Sequence, residues 1–183
     1  MKVQDVMTYA VQSCSPETNL SAAAMQMWRG DFGVLPVVAS GKVVGIITDR
    51  DICMAAATKH RDPTKIRVKE VISGNVYGCS PDTDIGQALK IMREKQVRRL
   101  PIINAEDQSL CGILSLNDIA LKAHDAKGAE LSSQDVENTL KAICTHRTAV
   151  RACELEPTQE QCELERYHPH SRVELAAVVD SAS

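Results

Sequence analysis

The stretch Gly45-Ile46-Ile47-Thr48-Asp49-Arg50-Asp51-Ile52 decides how the chain folds. Its apolar and small residues run as a buried strand, and at Thr48 the pattern turns into a helix carrying Ile52, Ala55 and Ala56. A strand that ends in Thr-x-x-Asp at a helix start gathers a hydroxyl, a carboxylate and free backbone N–H groups in one small volume, where a polar ligand can be held. The same four residues also write a capping box, in which the hydroxyl accepts from the first turn and the acid reaches back. A second copy stands at Gly112-Ile113-Leu114-Ser115-Leu116-Asn117-Asp118-Ile119.

The two copies belong to a longer repeat. A shift of 65 over residues 2–38 matches Val3/Val68, Val6/Val71, Val11/Val76, Cys14/Cys79, Ser15/Ser80, Pro16/Pro81, Thr18/Thr83, Ala23/Ala88, Met27/Met92, Leu35/Leu100 and Pro36/Pro101. After a two-residue insertion in a turn, Gly45, Ile46, Thr48, Asp51 and Ile52 fall on Gly112, Ile113, Ser115, Asp118 and Ile119. Each copy reads as a short helical lead-in, an irregular strand near Val11 or Val76, and a Ser-Pro turn. An amphipathic helix with Thr18 or Thr83 as its N-cap follows. Next comes a strand holding Leu-Pro, with the proline expected to open it or lie at an edge. Ser40-Gly41 is a tight hairpin turn and Asn104 to Ser109 a looser one.

The expected organisation is a repeat over 1–58, a polar connector over 59–66, a repeat over 67–123, and a linker with one helix over 124–150. That helix is capped at Ser132 and runs to about Arg147. Residues 151–183 hold three Arg against seven Asp or Glu and show no sustained period. They read as a mobile acidic tail, in which Val173 to Val179 offers a short apolar contact.

Composition removes several classes. Aromatic residues are only 3% of the 183, so the core rests on aliphatic side chains. A formal charge of −3 offers no broad basic field to nucleic acid. No apolar run approaches the roughly 18 residues of a membrane span, and the first residues carry no signal core, so a cytoplasmic protein is expected. The seven cysteines make no C-x-x-C pair; Cys14, Cys53, Cys79 and Cys111 read as packed small hydrophobes. There is no Walker loop, dinucleotide fingerprint, His-Glu-x-x-His or Gly-x-Ser-x-Gly, and no catalytic residue or metal ligand is assigned. Cys153, Cys162, His168 and His170 form a candidate soft-ligand set without standard spacing, which leaves a metal- or redox-responsive alternative. A third reading is a structural dimer whose clefts stay empty.

The doubled pattern of lead-in, Ser-Pro-x-Thr, Leu-Pro and Gly-h-h-Thr/Ser-x-x-Asp, where h is apolar, resembles the cystathionine-beta-synthase (CBS) domain, two of which pair as a Bateman module. It covers residues 1 to about 123. Val97-Arg98-Arg99-Leu100-Pro101 and the helix around Leu140 to Cys144 further resemble small bacterial stand-alone CBS-pair proteins of the hypoxic response type. The resemblance implies an α/β (α+β) fold of two beta-alpha-beta-beta-alpha units about a pseudo-twofold axis, with two clefts between them. It implies a regulatory module without catalytic activity that takes an adenosine ligand such as AMP, ADP, ATP, NAD or an S-adenosylmethionine derivative.

By the same resemblance, the first cleft combines Thr48 and Asp51 with Asn75, Val76, Val97, Arg98 and Arg99. The second combines Ser115 and Asp118 with Ala10, Val11, Phe32 and Gly33. A carboxylate accepts from a cis-diol and an Arg pair suits phosphate. The first cleft is therefore expected to be the stronger, because Gly33 and Val34 stand where it has Arg98 and Arg99. The plainer reading of Arg98 and Arg99 is a solvated or ion-paired strand edge, and adjacent strand residues face opposite sides, so one of them is expected to reach a ligand. A homodimer is expected too, through Ile52, Ala55, Ala56, Ile119 and Leu121 as outer apolar residues.

Overall fold

Two β-hairpins, each followed by a helix, face one another in the computed structural model, which describes residues 1–72, 76–123, 132–145 and the backbone of 173–175. In the first unit, α1 (Leu20–Gly30) leads into β1 (Val34–Ala39), β2 (Lys42–Thr48) and α2 (Asp49–Thr58). In the second, β3 (Val76–Gly78) precedes α3 (Ile85–Lys95), β4 (Arg99–Ile103), β5 (Leu110–Ser115) and α4 (Leu116–Ala123). A further helix, α5 (Ser133–Cys144), and a short strand, β6 (Val173–Leu175), complete the described elements. β6 pairs in parallel with β3. Asn75, Cys153, Cys162, His168, His170 and the tail apart from β6 lie outside the described residues, as does the expected end of the last helix at Arg147.

Local chemistry accounts for the boundaries. Ser40 and Gly41 both take positive φ, 49° and 78°, the combination a two-residue hairpin turn needs to match strand twist. Both amphipathic helices end on a left-handed residue, Asp31 and its repeat mate Gln96, each at φ 52°. The helix caps fall one residue later than expected. Asn19 accepts from Ala22 N–H and Asp84 from Gly86 N–H. Thr18 and Thr83 are occupied in the preceding turns, accepting from Ser15 and Ser80 N–H. Pro36 and Pro101 lie third in their strands rather than opening them. The bridge from Cys14 to β1 uses the Pro36 carbonyl and the Val38 N–H and asks nothing of the proline nitrogen. Around Val11 there is no strand, and the isolated bridges of Thr8 to Ile113 and Cys14 to Val37 flank it.

The lead-in segments are exchanged between the units. Val3, Val6 and Met7 pack among Cys79, Ile85, Leu89, Met92, Leu100, Leu114 and Ile119 of the second unit. Ile66 and Val68 pack among Leu20, Ala23, Met27, Leu35, Ile47 and Ile52 of the first. Equivalent backbone bonds hold both: Val3 N–H donates to Thr83 O at 2.9 Å and Val68 N–H to Thr18 O at 2.8 Å. Ile66, in the connector read as polar, is fully buried. Val43, Val76 and Ile103 form a third small cluster between the hairpins. The expected outer residues Ile52, Ala55 and Ile119 lie in these cores. The large apolar side chains left exposed on α1, α2 and α4 are Met25, Trp28, Met54 and Leu121.

The exchange gives the glycine of each motif a reason. A Cβ on Gly112 would stand 2.7 Å from the Thr8 carbonyl oxygen, and one on Gly45 would stand 2.8 Å from Ile72 Cδ1. Glycine lets the other unit's lead-in pass against the strand, where Thr8 and Ile113 exchange two backbone bonds of 2.9 and 3.0 Å.

Candidate functional site: two clefts between the repeats

Both Thr/Ser-x-x-Asp motifs are complete capping boxes. Asp51 Oδ2 accepts from Thr48 N–H at 2.9 Å and from Thr48 Oγ1 at 2.7 Å, while Thr48 Oγ1 accepts from Asp51 N–H at 3.2 Å. Asp118 and Ser115 repeat this at 2.8, 2.6 and 3.1 Å. Each box uses one carboxylate oxygen. Asp51 Oδ1 and Asp118 Oδ1 take no hydrogen bond among the described residues, so capping leaves an acceptor for a ligand hydroxyl.

A cavity of about 530 Å³ lies beside the first box, a size that suits a small organic ligand. Thr48, Asp49 and Arg50 come to it from the first unit, and Val76, Tyr77, Val97, Arg98 and Arg99 from the second. Val44, Ile46 and Ile72 supply apolar wall. Asp51 is half-buried and is not part of the lining; Thr48 is. Three arginines face one aspartate here. None of the Arg50, Arg98 and Arg99 guanidinium groups makes a hydrogen bond or ion pair among the described residues, so no ion-paired edge forms among them.

The second cavity, about 480 Å³, is lined by Ala10, Val11, Phe32, Ser115 and Asp118, with Thr8, Gln12, Asp31 and Asn117. Arg99 lines it as well. This cleft therefore has a cation, which the presence of Gly33 and Val34 at the matching positions did not lead one to expect. Gly33 itself borders the first cavity and not the second. It keeps that place by lacking a side chain: a Cβ there would meet Asp49 Oδ2 at 2.6 Å.

Sequence reasoning missed Arg50, Tyr77, Asp31 and the contribution of α5. That helix is capped by a Ser132/Asp135 box and lies on the second unit, against α3 and α4. Arg93 Nη1 donates to Thr139 Oγ1 at 3.3 Å, and Gln96 Nε2 donates to the Ala142 and Thr145 carbonyls, each at 3.2 Å. Ile143 thereby reaches the first cavity. Its place after Leu140 at helical spacing was visible, but the surface it would meet was not. Lys95 stands 4.7 Å over the Tyr77 ring at the same edge.

The thiols divide by burial. Burial pushes the Cys14 thiol up to about 11. Burial likewise pushes Cys79 up to about 12, against a hydrogen bond with Thr83 that lowers it. Cys111 is half-buried, whereas Cys53, expected to pack, is exposed on α2. Among the described residues no group of three or more His, Cys, Asp or Glu could hold a metal ion. No helix among them is long and apolar enough to cross a membrane.

Two copies of one α/β unit, paired about a pseudo-twofold axis with a cavity of mixed polar and apolar lining on each side, define a tandem-repeat module with two clefts. The chain belongs to the CBS-domain family, whose profile matches residues 3–58 and 68–125. It is similar to the CBS domain-containing protein YhcV of Bacillus subtilis (strain 168), with 33% identity over 138 residues that cover 74% of this chain and 96% of YhcV. Among solved structures it is similar to Hypoxic Response Protein I with two coordinated zinc ions. The TM-score is 0.60 and the identity 31%, over 66% of this chain and 98% of that one. The CBS domain pair of MJ0100, in complex with 5′-methylthioadenosine and S-adenosyl-L-methionine, shares the fold at TM-score 0.62. It is 23% identical, over 69% of this chain and 98% of that one.

Proposed function

We propose that this protein is a non-catalytic regulatory module that binds an adenosine-containing nucleotide in the first cleft and signals by a change of conformation or assembly. The observation that carries the reading is the set of guanidinium groups without a partner among the described residues, Arg50, Arg98 and Arg99, around a cavity that also holds the first turn of α2. Phosphate is the ligand chemistry that such a set suits, through forked charge-assisted bonds and the N–H groups of a helix start. Thr48 and the free Oδ1 of Asp51 are assigned to ribose hydroxyls, and Val76, Val97, Ile46 and Ile72 to the base. Asn75 is assigned to the same cleft by family resemblance. The adenosine compounds bound by the MJ0100 pair support the ligand class. The module is read as cytoplasmic and as a homodimer, with Trp28, Met25 and Met54 at the contact. A thermal-shift screen against AMP, ADP, ATP, NAD and S-adenosylmethionine tests it, and no shift with any of them refutes it.

The two zinc ions in the structure of Hypoxic Response Protein I favour a second reading, in which this chain also takes a metal through Cys153, Cys162, His168 and His170. A chelator that lowers the melting temperature of the purified protein supports that reading; an unchanged melt removes it.

A further inference from the structure

We propose that Arg99 is an anion contact shared by both cavities, and that it makes them antagonistic toward phosphate-bearing ligands. This rests on the nucleotide-binding reading above. Arg99 opens β4, pairs in register with Ser115 of the second capping box, and lines the first and the second cavity alike. Val34, the matching residue of the other unit, is the other side chain common to both linings. The two therefore form the partition between the clefts.

The electrostatics on the two sides of that partition differ. The first cavity has Arg50 and Arg98 besides Arg99, against Asp49. In the second, Arg99 is the one cation among the described lining residues and faces Asp31 and Asp118. A guanidinium has five donors but one charge on one planar head, so it cannot give its full field to both sides. A phosphate in the first cavity draws Arg99 toward it and leaves the second with two carboxylates and no compensating charge. Phosphate entry there is then disfavoured, while an uncharged nucleoside is affected little. Linkage makes the penalty mutual.

Methyl NMR of the intact protein separates the two cavities, because Ile46 lines the first and Ile113 the second. Titration with AMP is expected to give an Ile113 isotherm weakened at least about fivefold once the Ile46 site fills, the lower end of ordinary coupling. Adenosine is expected to give two independent isotherms. Arg99→Gln weakens AMP at both reporters and removes the coupling, while Arg98→Gln weakens AMP at Ile46 alone and retains it. Independent AMP isotherms in the wild type, coupling unchanged in Arg99→Gln, or an Arg99→Gln effect confined to Ile46 overturns the shared contact and leaves the nucleotide reading standing. No AMP or adenosine binding at either reporter overturns the shared contact, and no binding of ADP, ATP, NAD or S-adenosylmethionine besides overturns the nucleotide reading as well.

Discussion

Thr48 and Asp51 spend their polar atoms on each other: one carboxylate oxygen of Asp51 holds both the N–H and the hydroxyl of Thr48, at 2.9 and 2.7 Å. The box ends β2 and starts α2, and it fixes the hydroxyl that lines the first cavity. Removal of either partner is expected to cost about 1 kcal/mol, the usual value of an N-cap. Because both act in one unit, Thr48→Ala with Asp51→Ala should cost less than the two single losses added. Urea unfolding of the three variants checks this, and strict additivity would show that the box does not act as a unit.

The exchanged lead-ins make the stability of each unit depend on residues remote in sequence. Met7→Ala should destabilise by about 2–5 kcal/mol, as should Ile66→Ala, the range for large-to-small changes in a core. Their local effects should cross over. Hydrogen exchange is expected to rise most in α3 for Met7→Ala and most in α1 for Ile66→Ala. Greater exchange in the unit nearer in sequence contradicts the exchange of segments.

Burial raises the Cys14 and Cys79 thiols above their ordinary range, to about 11 and about 12. The unfolded chain ionises near pH 9 while the folded one keeps its proton, so the stability these thiols contribute is complete below about pH 9 and falls above it. The slope is up to about 1.4 kcal/mol per pH unit for each thiol. Cys79→Ala should flatten the fall between pH 9 and pH 10.5 relative to the wild type, measured by urea unfolding. An equal slope in both proteins would show that Cys79 ionises freely when folded. At pH 8, peptide mapping after alkylation should find Cys53 and Cys144 modified before Cys14 and Cys79.

Much of this architecture is written in local pattern. The Gly-h-h-Thr/Ser-x-x-Asp copies gave strand, box and helix together, and Ser40-Gly41 gave the turn. What failed to show was partner choice. Val3, Val6 and Met7 carry the same apolar spacing as Val68, Val71 and Ile72, so periodicity says that each is buried and nothing about which core receives it. The glycines were the available signal, since Gly45 and Gly112 interrupt apolar strands where only a close approach explains them. The caps slipped by one residue because Thr18-Asn19 and Thr83-Asp84 each offer two capping side chains in a row, and the Ser-Pro turn takes the first. The resemblance placed Arg99 in one cleft, whereas its long arm at a strand end lines two cavities.

The most direct measurement is calorimetry of the intact protein with AMP, ATP and NAD, beside Arg98→Ala and Asp51→Ala. The wild type is expected to bind at least one of them. Each variant is expected to weaken that ligand by about 1.5–3 kcal/mol, the scale of a hydrogen bond to a charged group, at temperatures where unfolding measurements show it folded. No binding heat from any of the three ligands, or wild-type affinity in both variants, would contradict a nucleotide site at Thr48, Asp51 and Arg98.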